Sequence, residues 1–192
     1  MHFRGSRSWQ VSIDTSPTFL HAALYVREAG GIPVAAGGVP PPLLVAPPPS
    51  GVVVRSDDWH AWWESLIAAG ASDLLLSRHL RPATALWPLA PPALLAALEP
   101  LGDEPLRWVS WTVDDSRFQQ PAPGFPVQAA VRRLEREFGR RSVMQVNIAG
   151  LAVAGDWVEV HGEGSTMLAS WSALDQAEDW LTDALREAFR RS

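Results

Sequence analysis

Apolar and polar positions alternate along this chain with two periods, and those periods divide it into elements. Trp9, Val11 and Ile13 alternate with Gln10, Ser12 and Asp14, which predicts a strand with one wet face. Ser16-Pro17 reads as a helix start, and Phe19, Leu20, Ala23, Leu24 and Val26 keep a helical period until Gly30-Gly31, predicting a helix over 17–29. A strand over 22–26 competes for the same residues, because Leu-Tyr-Val suits a sheet equally well.

The stretch 51–70 carries the strongest pattern. Val52, Val53 and Val54 predict a short strand covered on both faces. Ser56 follows as an N-cap, with Asp57 and Asp58 at the positive end of the helix dipole. At about 100° per residue, Trp59, Trp62, Trp63, Leu66 and Ile67 fall on one side, and Gly70 supplies the stop. Apolar faces of the same kind recur at 127–138 and 172–190, so the three helices are expected to share a core.

Between these elements, alternation over 107–113 predicts a strand. Leu74, Leu75, Leu76 and His79 suggest a short helix opened by Ser72, and Pro91-Pro92 open another over 93–98. Strands follow at 143–149, 157–161 and 166–170, with turns at 154–156 and 162–164 short enough for antiparallel hairpins. The expected fold class is therefore α+β: a mainly antiparallel sheet with packed helices and a C-terminal α-β-β-β-α unit over 127–192. Residues 114–126 have the composition of a linker or long loop. The chain is then either one compact domain or an N-terminal lobe, 1–113, joined there to a C-terminal lobe. The proline triplets in 37–50 cannot hold a helix or a central strand. They read as a stiff connection with Leu43, Leu44 and Val45 packing down, in preference to an SH3- or WW-type ligand.

Composition narrows the chemistry. There is no cysteine, which removes disulfides, thiolate metal sites and thiol catalysis. There is no lysine either, so a Walker lysine and Schiff-base chemistry are excluded, and no nucleotide-binding glycine loop or G-x-S-x-G elbow occurs. All sixteen basic residues are arginine, a bias that fits a GC-rich genome and is not taken as chemistry. A net charge of −5 disfavours a general nucleic-acid binder, which would carry a basic footprint. The first residues lack the apolar run of a secretory signal, and no long apolar run is free of proline and charge. A cytoplasmic protein with no membrane partner is expected.

Three polar groupings are candidates for function. Asp57, His60 and Glu64 share a strip of the tryptophan helix, and Glu159, His161 and Glu163 alternate along one strand and its turn. Each can be the wet flank of its element, or part of a metal-dependent or acid–base site. Arg132, Arg136 and Arg140, with Arg133 and Arg141 beside them, make a basic patch. It is either a solvated helix face or a place where phosphate, nucleic acid or an acidic partner docks. Ten tryptophans exceed what a core of this size needs, so Trp87 and Trp171 are expected as exposed partner anchors. The expected function is non-catalytic: an accessory, adaptor or immunity-like protein that binds another protein and needs no metal or cofactor. An enzyme built on the histidine–carboxylate groups is the alternative, and phosphate or nucleic-acid contact at the arginines is the second.

Overall fold

The computed structural model describes residues 2–4, 9–34, 39–71, 87–113, 125–141 and 143–191. In chain order its elements are β1 (His2–Arg4), β2 (Trp9–Asp14), α1 (Thr18–Ala29), α2 (Ser56–Ala68), α3 (Pro92–Leu98), α4 (Glu104–Val113), α5 (Val127–Phe138), β3 (Met144–Leu151), β4 (Val158–His161), β5 (Thr166–Ser170), α6 (Trp171–Asp175) and α7 (Ala177–Arg191). The expected helix at 72–79 and most of the 114–126 connection lie outside the described residues.

The strands form one sheet in the order β1-β2-β3-β5-β4. This corrects the expectation of a mainly antiparallel sheet. The central strands β2, β3 and β5 run parallel, and only the edge pairs β1·β2 and β4·β5 are antiparallel. β2 pairs with β3 along its whole length, so residues before 114 and after 126 build the same sheet. The turn at 162–164 does close a hairpin. The connection at 154–156 does not: it carries the chain past the position β5 will take, and β5 then inserts between β3 and β4.

Parallel central strands need cover on both faces, and alternate residues point into two separate cores. On one face Leu151 and Leu168 meet Leu20, Leu24, Trp59, Trp62, Trp63 and Leu98. On the other, Val11, Ile13, Val146, Ile148 and Met167 meet Val131, Leu134, Leu181, Leu185 and Phe189. The helix faces expected to share one core therefore lie on opposite sides of the sheet, with α2 on one side and α5 and α7 on the other.

The tryptophan face of α2 is fully buried. Trp59 and Trp63 stack with ring centroids 5.5 Å apart. The Trp59 Nε1 donates to the Ala23 carbonyl at 2.7 Å, and the Trp62 Nε1 donates to the Pro88 carbonyl at 2.8 Å. Each indole removes about 150–250 Å² from water, about 4–6 kcal/mol of transfer free energy before entropy is counted.

Two expected strands are absent. Residues 52–54 form no ladder, and Val53 is 85% exposed. Residues 107–113 belong to α4, where Pro105 and Val109 are buried while Arg107, Ser110 and Trp111 face out, a spacing of one helix face. The window 107–113 fits both periods. Glu104 and Pro105 decide it, as an acidic residue and a proline in the first turn favour a helix.

The proline-rich segment is held by a buried cation. Prolines lack N–H groups, but their carbonyls still need donors. The fully buried Arg27 guanidinium donates to the carbonyls of Pro40 and Pro41 and to Glu28 Oε1, the last at 2.7 Å, and lies 5.8 Å from the centre of the Trp59 ring. Burial pushes its pKa down, against the opposing effect of Glu28. Beyond the prolines, Leu43 bridges to Val153, and Leu44 N–H donates to the Ala152 carbonyl at 2.8 Å. Leu43 is buried, but Leu44 and Val45, expected to pack down beside it, are each 52% exposed.

Candidate functional site

The first polar strip stays spread along α2. Asp57 and Glu64 are exposed, and His60 is half-buried. The His60 Nδ1 lies 2.7 Å from the Ser56 carbonyl, which can only accept, so Nδ1 carries the proton. The same nitrogen is 3.2 Å from Ser56 Oγ, and the ring stands edge-on to Trp59 at 5.1 Å. One turn of helix thus occupies one of the two ring nitrogens.

The second strip lies at the edge strand. β4 pairs Glu159 with Leu168 and His161 with Thr166, so both side chains point to the same face as the tryptophan core. The exposures reverse what a wet face predicts: the Glu159 and His161 side chains are only 22% and 16% exposed, whereas Val160, on the opposite face, is 39% exposed. The His161 Nε2 is 3.5 Å from Glu159 Oε1, and both His161 Nε2 and Glu159 Oε2 are shut from solvent without a hydrogen-bond partner. Glu163 belongs to the turn that follows, Gly162–Gly164. Among the described residues no hydrogen bond or ion pair joins Glu159 or His161 to Asp57, His60 or Glu64, and no three His, Asp or Glu side chains gather as metal ligands.

A histidine that the sequence did not single out is among the fully buried polar groups. His21 sits in α1 with no exposure. Its Nδ1 lies 2.9 Å from the Pro17 carbonyl and must donate. Its Nε2 then accepts from the Ala152 N–H at 2.9 Å. The ring is neutral: burial lowers its pKa from 6.5 to about 4, against the opposing pull of the Pro17 carbonyl. This is a structural joint between the start of α1 and the end of β3. Nearby on α1, Tyr25 donates to Glu104 Oε1 at 2.8 Å. Burial and then that carboxylate push its pKa up to about 12.

The tryptophans expected at the surface are elsewhere. Trp87 is 6% exposed and packs edge-on against Trp62. Trp171 is half-buried, with its Nε1 donating to the Thr15 carbonyl at 2.8 Å. The exposed indole is Trp111 of α4, at 82%. Its signal was hidden by the strand reading of 107–113, which put it on a face with Val109 and Val113.

The arginines are brought together, though not as a single helix row. α5 ends at Phe138, and Gly139 takes the left-handed conformation at φ 64°, so of Arg132, Arg136 and Arg140 only the first two lie along the helix, with Arg133 beside them. Arg140 and Arg141 follow the turn. A shallow depression of about 520 Å³ results, lined by Arg132, Glu135, Arg136, Gly139, Arg140 and Arg141. The Arg140 guanidinium donates to the Phe189 carbonyl at 2.7 Å and stands over the Phe189 ring at 5.3 Å. On the neighbouring flank Arg186 reaches Glu137 at 2.9 Å and also binds Asp183. That pairing holds the Glu137 carboxyl below its usual range and raises Arg186 above its own.

No family model matches this sequence, and neither a curated protein nor a solved structure matches the chain. Among the described residues no helix is long and apolar enough to cross a membrane.

Proposed function

We propose that this protein acts by binding another protein, as an accessory, adaptor or immunity-like factor, and that its recognition face is the arginine depression at the end of α5. The observation that supports this most is the lining itself: four arginines and one glutamate around a concave surface, in a chain of net charge −5. Arginine is enriched at binding hot spots because its planar fork makes several directed bonds at small ordering cost. Arg136 lies in the last turn of α5, at the negative end of the helix dipole, and its Nε donates to the Arg132 carbonyl at 3.3 Å, so the two guanidiniums are held along one edge of the depression.

A photo-crosslinking side chain placed at 132 or 136 in the native cell should yield a discrete protein adduct. The same group at 57 or 64, on the exposed flank of α2, should not. Adducts from α2 only, or from no position, would remove the proposal.

The Glu159–His161 pair supports a second reading, acid–base chemistry at the sheet edge, because His161 Nε2 lies 3.5 Å from Glu159 Oε1 while that nitrogen and the other carboxylate oxygen, Oε2, are buried without a hydrogen-bond partner. Under that reading His161→Gln abolishes the biological activity while leaving the crosslinks intact. Under the binding reading it leaves both in place.

A further inference from the structure

We propose that the occupant of the arginine depression is an acidic segment of the partner protein, whose carboxylates engage Arg132 and Arg136 in parallel. This rests on the binding reading above and names what is bound. Arg132 and Arg136 are exposed on one face of α5 and separated by four residues, a rise of about 6 Å. Carboxylates four residues apart on a helix have the same spacing, and those two apart on an extended strand are separated by about 6.6–6.8 Å. Each can meet a guanidinium in a two-bond fork.

The charge pattern of α5 shows that this positive face is distinct from the rest of the helix. At the same four-residue spacing, Arg133 is matched by Glu137, which is itself bound to Arg186 across to α7. The depression side carries two cations at that spacing instead. Beyond Gly139, Arg140 is fixed by the Phe189 carbonyl and ring, so one guanidinium at the rim is already oriented and need not be ordered on binding.

Two features favour a polypeptide over a nucleic acid. Glu135 is part of the lining, where it would repel a continuous phosphate array but can accept from a partner's N–H groups. The chain as a whole is acidic, and a duplex, with a charge about every 1.7 Å, meets more of that repulsion than a short acidic segment does.

The test uses the full chain and three probes: a fluorescent ten-residue peptide with glutamate at alternate positions, a duplex DNA of similar total charge, and inorganic phosphate. At about 50 mM salt, where exposed charges are weakly screened, the peptide should bind, and its glutamine counterpart should not. Affinity should fall at least tenfold in R132E/R136E and by an intermediate factor in R132Q/R136Q. It should be unchanged in R55E/R107E, which reverses two exposed arginines elsewhere. NMR shifts should map to 132–141.

Equal loss in R55E/R107E, absence of peptide binding, tighter binding of the duplex, or phosphate binding that the peptide does not displace would each overturn the inference. If crosslinks still form at 132 and 136 while the acidic peptide fails to bind, this inference fails and the binding reading stands. If neither occurs, both fail.

Discussion

His21 shows how a single side chain can be structural without leaving a sequence signal. Helix α1 is buried over a continuous run from Leu20 to Arg27, so a polar residue there interrupts no wet face. The neutral ring donates at one end and accepts at the other, an arrangement that protonation destroys because Nε2 would then face the Ala152 N–H as a second donor. The unfolded chain takes up this proton near pH 6.5, the folded chain only near 4. The stabilisation from the neutral ring is therefore complete above about pH 6.5 and is lost as pH falls towards 4, by roughly 3 kcal/mol. Urea unfolding between pH 7.5 and 4 should show this loss. In His21→Gln, which keeps a donor and an acceptor without titrating, the total loss over that range should be smaller by about that amount. The same loss in both proteins would place the acid sensitivity elsewhere. Arg27 belongs to the same class: the proline triplet announces carbonyls that need donors, but nothing in the sequence says which donor reaches them.

At the scale of elements, local patterns decided what local patterns can decide. The boundaries of α5 were legible to the residue, since a strong apolar stripe ends at a glycine with positive φ. The start of the last helical segment was less so: in place of one helix over 172–190 the chain breaks at Gln176, and Ser170, fully buried, caps the short α6 by accepting from Ala173 N–H at 3.2 Å. The 107–113 segment was misread because seven residues are too few to separate a period of two from one of 3.6.

Packing between elements is close enough to be tested at Gly150 in β3. A methyl group there would lie 2.6 Å from Leu174 Cδ1 and 3.2 Å from Thr15 Cα. Gly150→Ala should cost about 1–3 kcal/mol in unfolding free energy, as overpacking does. Part of that cost should disappear in a Leu174→Ala background, because the nearer clash is with a side chain. A cost unchanged by Leu174→Ala would mean that the Thr15 backbone alone sets it.

For the whole molecule, the order β1-β2-β3-β5-β4 places the strands with most cover in the middle. β5 is buried at every position and β3 over its last four. Amides of Val146, Ile148 and Leu168 should therefore exchange most slowly with solvent, at rates approaching global unfolding. Those of β1 and β4 should exchange much faster through local opening. Hydrogen exchange followed by NMR checks this, and protection of β4 equal to that of β3 would contradict the two-core arrangement. The same arrangement explains the candidate sites. Glu159 and His161 fall under cover because they point to the helix-covered face of the sheet, while Val160 on the opposite face of the edge strand stays exposed.

What the sequence determined by itself was the set of local events: where apolar periods of two and 3.6 begin and end, where glycine and proline interrupt them, and which chemistries the missing cysteine and lysine rule out. These depend on neighbours within about a turn of chain. Only the tertiary structure decided that β5 lies between β3 and β4, and that α2 is separated from α5 and α7 by the sheet. It also decided that Trp111 is the exposed indole, and that the arginines on either side of Gly139 line one depression. Each depends on contacts between residues far apart in sequence, whose pairing is chosen by the burial of both sheet faces together and not by any one segment's pattern.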